Sequence, residues 1–267
     1  VNLDELAGVA ERAARAGGAV LLDHQDKILE VTLKDARVDV SSSADLAAQE
    51  AVIAAIRAER PDDVVLGEED APDTSTPAEG LRWWVDPLDG TRAFIDGFPW
   101  FATAVSVTLD GDPVVATVYD PLRDELYAAV RGGGATCNGR RLQVSSATRA
   151  AEVVVVVQAQ SSDPVVIAEF ARLMRAMLTV SGGVRFPGAP ALVMAHIAAG
   201  HLGGYVERDM PPWDVAGGRL LVEEAGGRVT DFDGQTRDAS TRYDVVASNG
   251  GAHDELVAAT GMRFEEG

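Results

Sequence analysis

The chain has 267 residues, of which 46% are hydrophobic and 24% charged, and its formal net charge is -19. That length and apolar content suit one large domain or two closely joined lobes with an ample core, and exclude a disordered or fibrous chain. So acidic a chain is a poor match for bulk nucleic acid or an anionic membrane, so neither partner is expected, but it can take a small phosphorylated molecule through metal ions.

Leu3 to Leu22 reads as an amphipathic helix, with Leu3, Leu6, Val9, Ala10 and Ala13 at helical spacing. Asp4 and Glu5 fall in its first turn, where negative charge is favoured. The stretch VNLDELAGVAERAARAGGAVLL has early acids and internal arginines, unlike a signal peptide, and no apolar run reaches membrane-spanning length. A cytoplasmic location is expected. ILEVTLKDARVDV alternates weakly, as a hairpin or loop would. A second strong helix starts at Ser43 and ends at Pro61.

DVVLGEED reads as a short strand running into Gly67 and three acids, and APDTSTPAEG as a polar loop. LRWWVDPLDG is the next strand and its exit, with the apolar run ending at Val85. From Phe101 to Val144 a meander is expected, its β-rich runs separated by Asp-Gly, Asp-Pro and a glycine cluster. A softer boundary near SSATRAAE divides a 1–150 lobe, of mixed α and β character and carrying most candidate metal ligands, from a 151–267 α/β lobe. In the second lobe VVVVV is a buried strand, PVVIAEFARLMRAML and APALVMAHIAAG are helices, and HLGGYVERD is a short strand. WDVAGGRLLVEEAGG is a helix stopped by paired glycines, RVTDFDG and YDVVASNG are late strands, and a last helix starts near His253. The result is a mixed α/β chain of stacked sheet and helix layers.

Cys137 is the only cysteine, which rules out an intrachain disulfide and a cysteine-rich zinc site; with no base beside it, it reads as structural. His24, His196, His201 and His253 lack zinc spacing. Trp83, Trp84 and Trp100 read as packing residues, and Trp213 as packing or as a wall of a cleft. The acids are more informative. Asp86 and Asp89 flank Pro87, which fixes φ, and precede Gly90, which permits a sharp bend. In a turn, that spacing points both carboxylates into one small volume. Two bare carboxylates there repel each other, and a hard divalent cation, magnesium or else manganese, removes the cost. Glu68 and Glu69 also follow a short strand. If the two strands are neighbours their exits lie side by side, where ligands of open α/β sheets gather. Asp214 opens a helix and is either a third ligand or a simple cap.

Gly90 and Thr91 offer free N–H groups to phosphate if a helix or turn opens there. Thr91 can orient a water, and Asp45, early in the second helix, can take its proton. Two-metal phosphate-ester hydrolysis follows as a candidate chemistry, with a calcium site and plain surface acids still open at this point.

These residues resemble the inositol monophosphatase family, the lithium-sensitive, magnesium-dependent phosphomonoesterases. WWVDPLDGTRAF is similar to the family's first motif and PPWDVAGGRLLVEEAGG to its second. Gly67-Glu68-Glu69, Phe98-Pro99 and Asn138-Gly139 match further elements in order. The resemblance covers nearly the whole chain. It implies the layered α-β-α-β-α sandwich shared with fructose-1,6-bisphosphatase. It also implies a first Mg2+ on Glu68, Asp86 and the Leu88 carbonyl, a second on Asp86, Asp89 and Asp214, and a third, weaker ion near Glu68 through water. Asp45 and Thr91 would activate the water, Glu69 would support them, and the Gly90 and Thr91 N–H groups would hold phosphate. Glu207 would bind substrate hydroxyls, with Gly188 and Ala189 on the substrate side. A homodimer is expected, since members are commonly dimers.

The chain departs from the family in places. Ala44 stands where a threonine often orients the catalytic acid, which implies a lost hydroxyl beside Asp45 and a lower rate. Gly188-Ala189-Pro190 replaces a more polar stretch, removing a side-chain contact and a backbone donor. Lys34 is a candidate to screen the site, and Arg185 and Arg208 are candidates to approach substrate. The expected substrate is a small phosphorylated polyol or amino alcohol: inositol-1-phosphate first, then histidinol phosphate, fructose-1,6-bisphosphate or 3'-phosphoadenosine 5'-phosphate. A catalytically quiet metal-dependent binding protein is the non-enzyme alternative.

Overall fold

The computed structural model describes residues 1–267 except 26, 28–29, 34–39, 71–72, 76–78, 160 and 265–267. Lys34 and most of the turn after Leu33 therefore lie outside the described residues. Helix α1 (Leu3–His24) buries Leu6, Val9, Ala10, Ala13, Gly17 and Leu21 along one stripe, and Asn2 caps its start by accepting from the Glu5 N–H. Strands β1 (Val31–Leu33) and β2 (Val40–Ser42) pair antiparallel, so the weakly alternating segment is a small two-stranded sheet. Helix α2 (Ser43–Glu59) follows at once. Where α1 crosses it, Gly17 lies so close that a Cβ would sit 2.7 Å from Val52 Cγ2.

Strands β3 (Val64–Gly67), β4 (Leu81–Asp89), β5 (Ala102–Leu109), β6 (Asp112–Asp120), β7 (Glu125–Val130), β8 (Gly134–Cys137) and β9 (Arg140–Arg141) form a seven-stranded sheet in that order. Helix α3 (Thr91–Ile95) leaves β4 directly. The expected meander is β5 to β9, antiparallel throughout. After β10 (Val154–Val157) come α4 (Pro164–Val180), β11 (Gly183–Arg185), α5 (Pro190–Ala198), β12 (Gly204–Met210), α6 (Pro212–Glu224), β13 (Arg228–Thr230), β14 (Tyr243–Ser248) and α7 (His253–Thr260). Their five-stranded sheet runs β11-β10-β12-β14-β13. The edge strand β11 has no counterpart in the sequence reading, because three residues are too short for a periodic signal.

One expectation needs correcting. The strand carrying WWVDPLDG does not end at Val85 but continues to Asp89. Opposite Ala102–Ala104 it inserts one residue, with Asp86 paired to Ala104 and Asp89 to Ala102, a bulge rather than a turn. Thr103 Oγ1 donates to the Pro87 carbonyl at 3.0 Å and pins it.

Side-chain alternation sets the layers. Trp83, Val85, Val105, Val107 and Val115 face α1 and α2. Ala102, Ala104, Ala116 and Val118 face the other way, against Leu192 of α5 and Leu220 of α6. The opposite side of α5 and α6 packs on the second sheet through Val193, Met194, Val215 and Val222, against Val156, Tyr205 and Val245. Helices α4 and α7 cover the outer face with Leu173, Met177 and Leu256. This is the α-β-α-β-α layering expected.

Small residues let α6 sit close. A Cβ on Gly217 would lie 3.3 Å from Ser106 Cβ, and one on Gly218 would lie 2.4 Å from Met194 Cε and 2.7 Å from Met194 Cβ. Gly218→Ala is therefore an overpacking change, expected to lower unfolding free energy in urea by about 1–3 kcal/mol. An unchanged urea midpoint would show that Met194 yields freely.

Candidate metal centre and active-site cleft

The parallel pairing of β3 with β4 sets Gly67 opposite Val85, so Glu68, just past the end of β3, comes beside Asp86 within β4. In a regular strand a spacing of three would send Asp86 and Asp89 to opposite faces; the extra residue of the bulge returns both to one. Both open into a cleft of about 430 Å³ that Glu68, Leu88, Gly90, Thr91, Gly188, Ala189 and Asp214 also line. Asp214 lies in the first turn of α6, where Pro211 and Pro212 begin the helix without a side-chain cap. Ligand atoms of Glu68, Asp86 and Asp214 lie within 4.8 Å of one another.

Burial makes this arrangement costly without a cation. Asp86 is held well above the usual carboxylate range by desolvation first, then by Glu68, Asp89 and Asp214. Asp214 is raised well above it too, by burial first and then by Glu68, Asp89 and Glu207. Asp89 is pushed up to about 7 by burial, although the Leu192 and Ala191 N–H groups pull it back. Its Oδ2 accepts from Leu192 N at 2.8 Å, so Asp89 caps α5 from outside, while its buried Oδ1 has no hydrogen-bond partner. Such an orphan costs about 1–3 kcal/mol. Clustered, desolvated, oxygen-only donors of one sign fit a hard divalent cation.

Beside the cluster, Thr91 Oγ1 lies 2.9 Å from Asp45 Oδ1 and 3.0 Å from the Leu88 carbonyl. Asp45 is buried at the start of α2, and burial raises its pKa against the hydrogen bonds from Ser42 and Thr91. Its Oδ2 accepts from Ser42 N at 2.7 Å and Ser42 Oγ at 2.6 Å. Ser42 thus orients Asp45 within a capping box, while Ala44 brings no hydroxyl and is buried beside Leu88 and Phe94.

Glu69 Oε2 accepts from Ser41 Oγ at 2.7 Å, and the Glu69 N–H donates to Gln49 Oε1 at 3.0 Å. Gln49 reaches that N–H across Gly67, where a Cβ would lie 2.2 Å from Gln49 Oε1. Gln49 was absent from the sequence reading, yet it lies four residues after Asp45, one turn along the same face of α2.

Gly90 has φ +94, and a Cβ there would meet the Trp100 carbonyl at 2.8 Å. Ala189 adopts φ 56 at the start of α5, and the Gly188 carbonyl accepts from Trp100 Nε1 at 3.0 Å. Trp83 and Trp84 are core residues bonded to Asp63 and Thr108, whereas Trp213 both packs on Trp84 and walls a second cleft. That cleft, of about 540 Å³, shares Glu68, Ala159 and Asp214 with the first, and Glu207, Gln158, Phe170 and Arg208 line it. Glu207 is buried and accepts from Tyr205 Oη and from Gln158 Nε2 at 3.2 Å. Burial pushes its pKa up to about 7 against both bonds. Arg208 is held by Asp244 and Glu169, while Arg185 lines neither cleft and donates to the Val184 carbonyl.

Residues 2–263 match the model of the inositol monophosphatase family. The chain belongs to the inositol monophosphatase family. It is 34% identical over 234 residues to the Nus factor SuhB of Pasteurella multocida, covering 87% of each chain. It is also 34% identical over 255 residues to a chloroplastic phosphatase of Arabidopsis thaliana, covering 93% of this chain and 68% of that one. A solved inositol monophosphatase from Anabaena superposes with a TM-score of 0.82 at 32% identity, over 97% of this chain and 96% of that one. As a family member the protein is a metal-dependent phosphatase. Among the described residues no helix is long and apolar enough to cross a membrane.

Because metal binding must displace protons from carboxylates whose pKa burial and mutual repulsion raise, Mg2+ titrated into metal-free protein at pH 7 is expected to release protons as it binds. Calorimetry in buffers of different ionisation enthalpy measures this. Heat that does not vary with the buffer would mean the cluster is already ionised.

Proposed function

We propose that the protein hydrolyses a small phosphate monoester with Mg2+, inositol-1-phosphate being the leading substrate and histidinol phosphate the next. The observation that carries this is the convergence of Glu68, Asp86 and Asp214 within 4.8 Å, beside an Asp45–Thr91 pair. The likeness to an inositol monophosphatase at 32% identity supports the leading substrate.

In this reading Glu68, Asp86 and the Leu88 carbonyl hold one ion, Asp86, Asp89 and Asp214 a second, and Glu68 a weaker third through water. Mg2+ bound there supplies the charge that stabilises the phosphate and lowers the pKa of a water; Mn2+ can replace it. The remaining work falls to the chain. The Thr91 hydroxyl has one hydrogen and two acceptors in reach, Asp45 and Leu88 O. Donated to Asp45, it leaves the Thr91 oxygen free to accept from the attacking water, and the proton passes on to Asp45. Ser42 fixes the far oxygen of that carboxylate, and burial favours its protonated form. Glu69 keeps the turn after β3 in place through Ser41 and Gln49. The N–H groups of Gly90 and Thr91 would take phosphate oxygens, with Gly188 and Ala189 forming the wall opposite, and Glu207 would receive substrate hydroxyls.

A cytoplasmic homodimer is part of the same reading, supported by the lone Cys137, which suits a reducing compartment, and by the dimers common in the family. The Nus factor name of relatives 34% identical to this chain favours a second role, with a protein partner, which need not use the cleft.

Phosphate release from inositol-1-phosphate, histidinol phosphate, fructose-1,6-bisphosphate and 3'-phosphoadenosine 5'-phosphate, with Mg2+ and then with chelator, tests the activity. Preference for inositol-1-phosphate, lost with chelator, is expected. Asp86→Asn should abolish turnover, and Thr91→Val should lower kcat by about 10²–10⁴-fold with little change in KM. Hydrolysis that survives Asp86→Asn would remove this site from the reaction.

A further inference from the structure

The end of α5 brings two histidines together outside both clefts. Ala199 caps the helix and Gly200 follows at φ +76. The Gly200 N–H donates to the Ile197 carbonyl at 2.9 Å, and the His201 N–H to the His196 carbonyl at 3.0 Å. In a helix stop of this kind the side chain two residues past the cap meets the one three residues before it, usually as a hydrophobic pair. Here both positions are histidine, and their Nδ1 atoms lie 3.0 Å apart. Main-chain bonds therefore set the pair, and residue order gave no sign of it because no cysteines accompany the two rings. Neither histidine lines either cleft.

Two nitrogens this close share one proton, since a proton on each would set N–H against N–H. Burial first, then His201, lowers the His196 pKa to about 4, so its ring is neutral at neutral pH. Its Nε2 is buried without a hydrogen-bond partner, so no bond there fixes which nitrogen carries the proton, and Nδ1 can be bare. Two imidazole nitrogens bound side by side to one ion at about 2.0–2.1 Å stand roughly 2.9–3.4 Å apart, a span that includes the observed separation. The surrounding charge suits a cation. Glu125 and Asp120 both favour positive charge at His196, while Arg123, which opposes it, is paired with Asp120 at 2.6 Å. The C-terminal end of α5 adds partial negative charge. His201 is exposed, so an ion and its waters can reach the pair.

We propose that His196 and His201 form a second metal site, which takes one borderline divalent cation of the copper, nickel or zinc type and completes its coordination with water. The site goes beyond the phosphatase reading and does not depend on it. Imidazole selects these ions, whereas the oxygen-only cluster of Glu68, Asp86 and Asp214 selects Mg2+. Trp100 stacks on His196 with ring centroids 5.0 Å apart and donates to the Gly188 carbonyl, so an ion at the pair would brace the ring that supports one wall of the first cleft.

Cu2+, which binds nitrogen sites most tightly of these ions, is the probe. It is added below one equivalent, at pH 7 and in millimolar Mg2+, to protein without a polyhistidine tag, and its ligands are read by electron paramagnetic resonance. The wild type is expected to show the nitrogen hyperfine pattern of two imidazoles. His201→Ala removes an exposed ring and should abolish that pattern and weaken Cu2+ binding by at least about ten-fold, the smallest cost of losing even a group that only orients a ligand. His196→Leu, which keeps an apolar contact for Trp100, should do the same, and His24→Ala should leave the pattern as it is. Oxygen-only ligation in the wild type overturns the proposal, as does a pattern that survives His201→Ala or follows His24 instead. None of these readouts uses turnover, so their failure leaves the phosphatase reading standing.

Discussion

Repulsion among buried carboxylates is the constraint on which the rest of the structure depends. Asp86, Asp89 and Asp214 are all desolvated, and neighbouring carboxylates, Glu68 in every case, raise the pKa of each further. A flexible scaffold would relax by moving them apart. Here each is carried on backbone that cannot easily yield. Glu68 follows β3, Asp86 lies within its paired neighbour β4, and Asp89 ends a bulge pinned by Thr103. Asp214 heads a helix wedged between two sheets. The strain is removed by binding a cation, so affinity for metal is built into the rigidity of the fold.

Helices α5 and α6 transmit that rigidity across the molecule. Both pack on the two sheets at once, and α6 approaches closely because Ser106, Ala116, Gly217 and Gly218 leave room. The N-terminus of α5 is tied to Asp89 through Leu192, which also explains how Ala189 can start a helix with no capping side chain. The acceptor that a polar residue at 189 might have offered comes instead from a carboxylate about a hundred residues earlier. Near Asp45, where Ala44 brings no hydroxyl, Ser42 reaches the carboxylate with both its side chain and its N–H.

The two clefts divide the chemistry between them. The first holds the phosphate side, where Asp45, Thr91 and the acidic cluster meet. The second is bounded by Glu207, Gln158 and residues of α4, Phe170 and Leu173 among them. Glu68 and Asp214 belong to both, so the second cleft is fixed in the same frame as the acidic cluster.

Much of this was legible in residue order, because it is local. Strand–acid exits, capped helices, the Pro87–Gly90 segment and the Asp214 helix start each declare themselves within a few neighbouring residues, and the motif order identified the family. Residue order also named the acids that converge, since a carboxylate at a strand exit has few purely structural uses. It could not show that Asp86 and Asp89 share a face through a bulge rather than a turn, because the extra residue exists only against the partner strand β5. Nor could it find Gln49, Tyr205 or Gln158, whose partners lie 20, 2 and 49 residues away, or the Asp89 cap on α5 at a separation of 103. Those bonds depend on which strands become neighbours and how closely α6 packs, and both are decided by burying the apolar faces of the whole chain together.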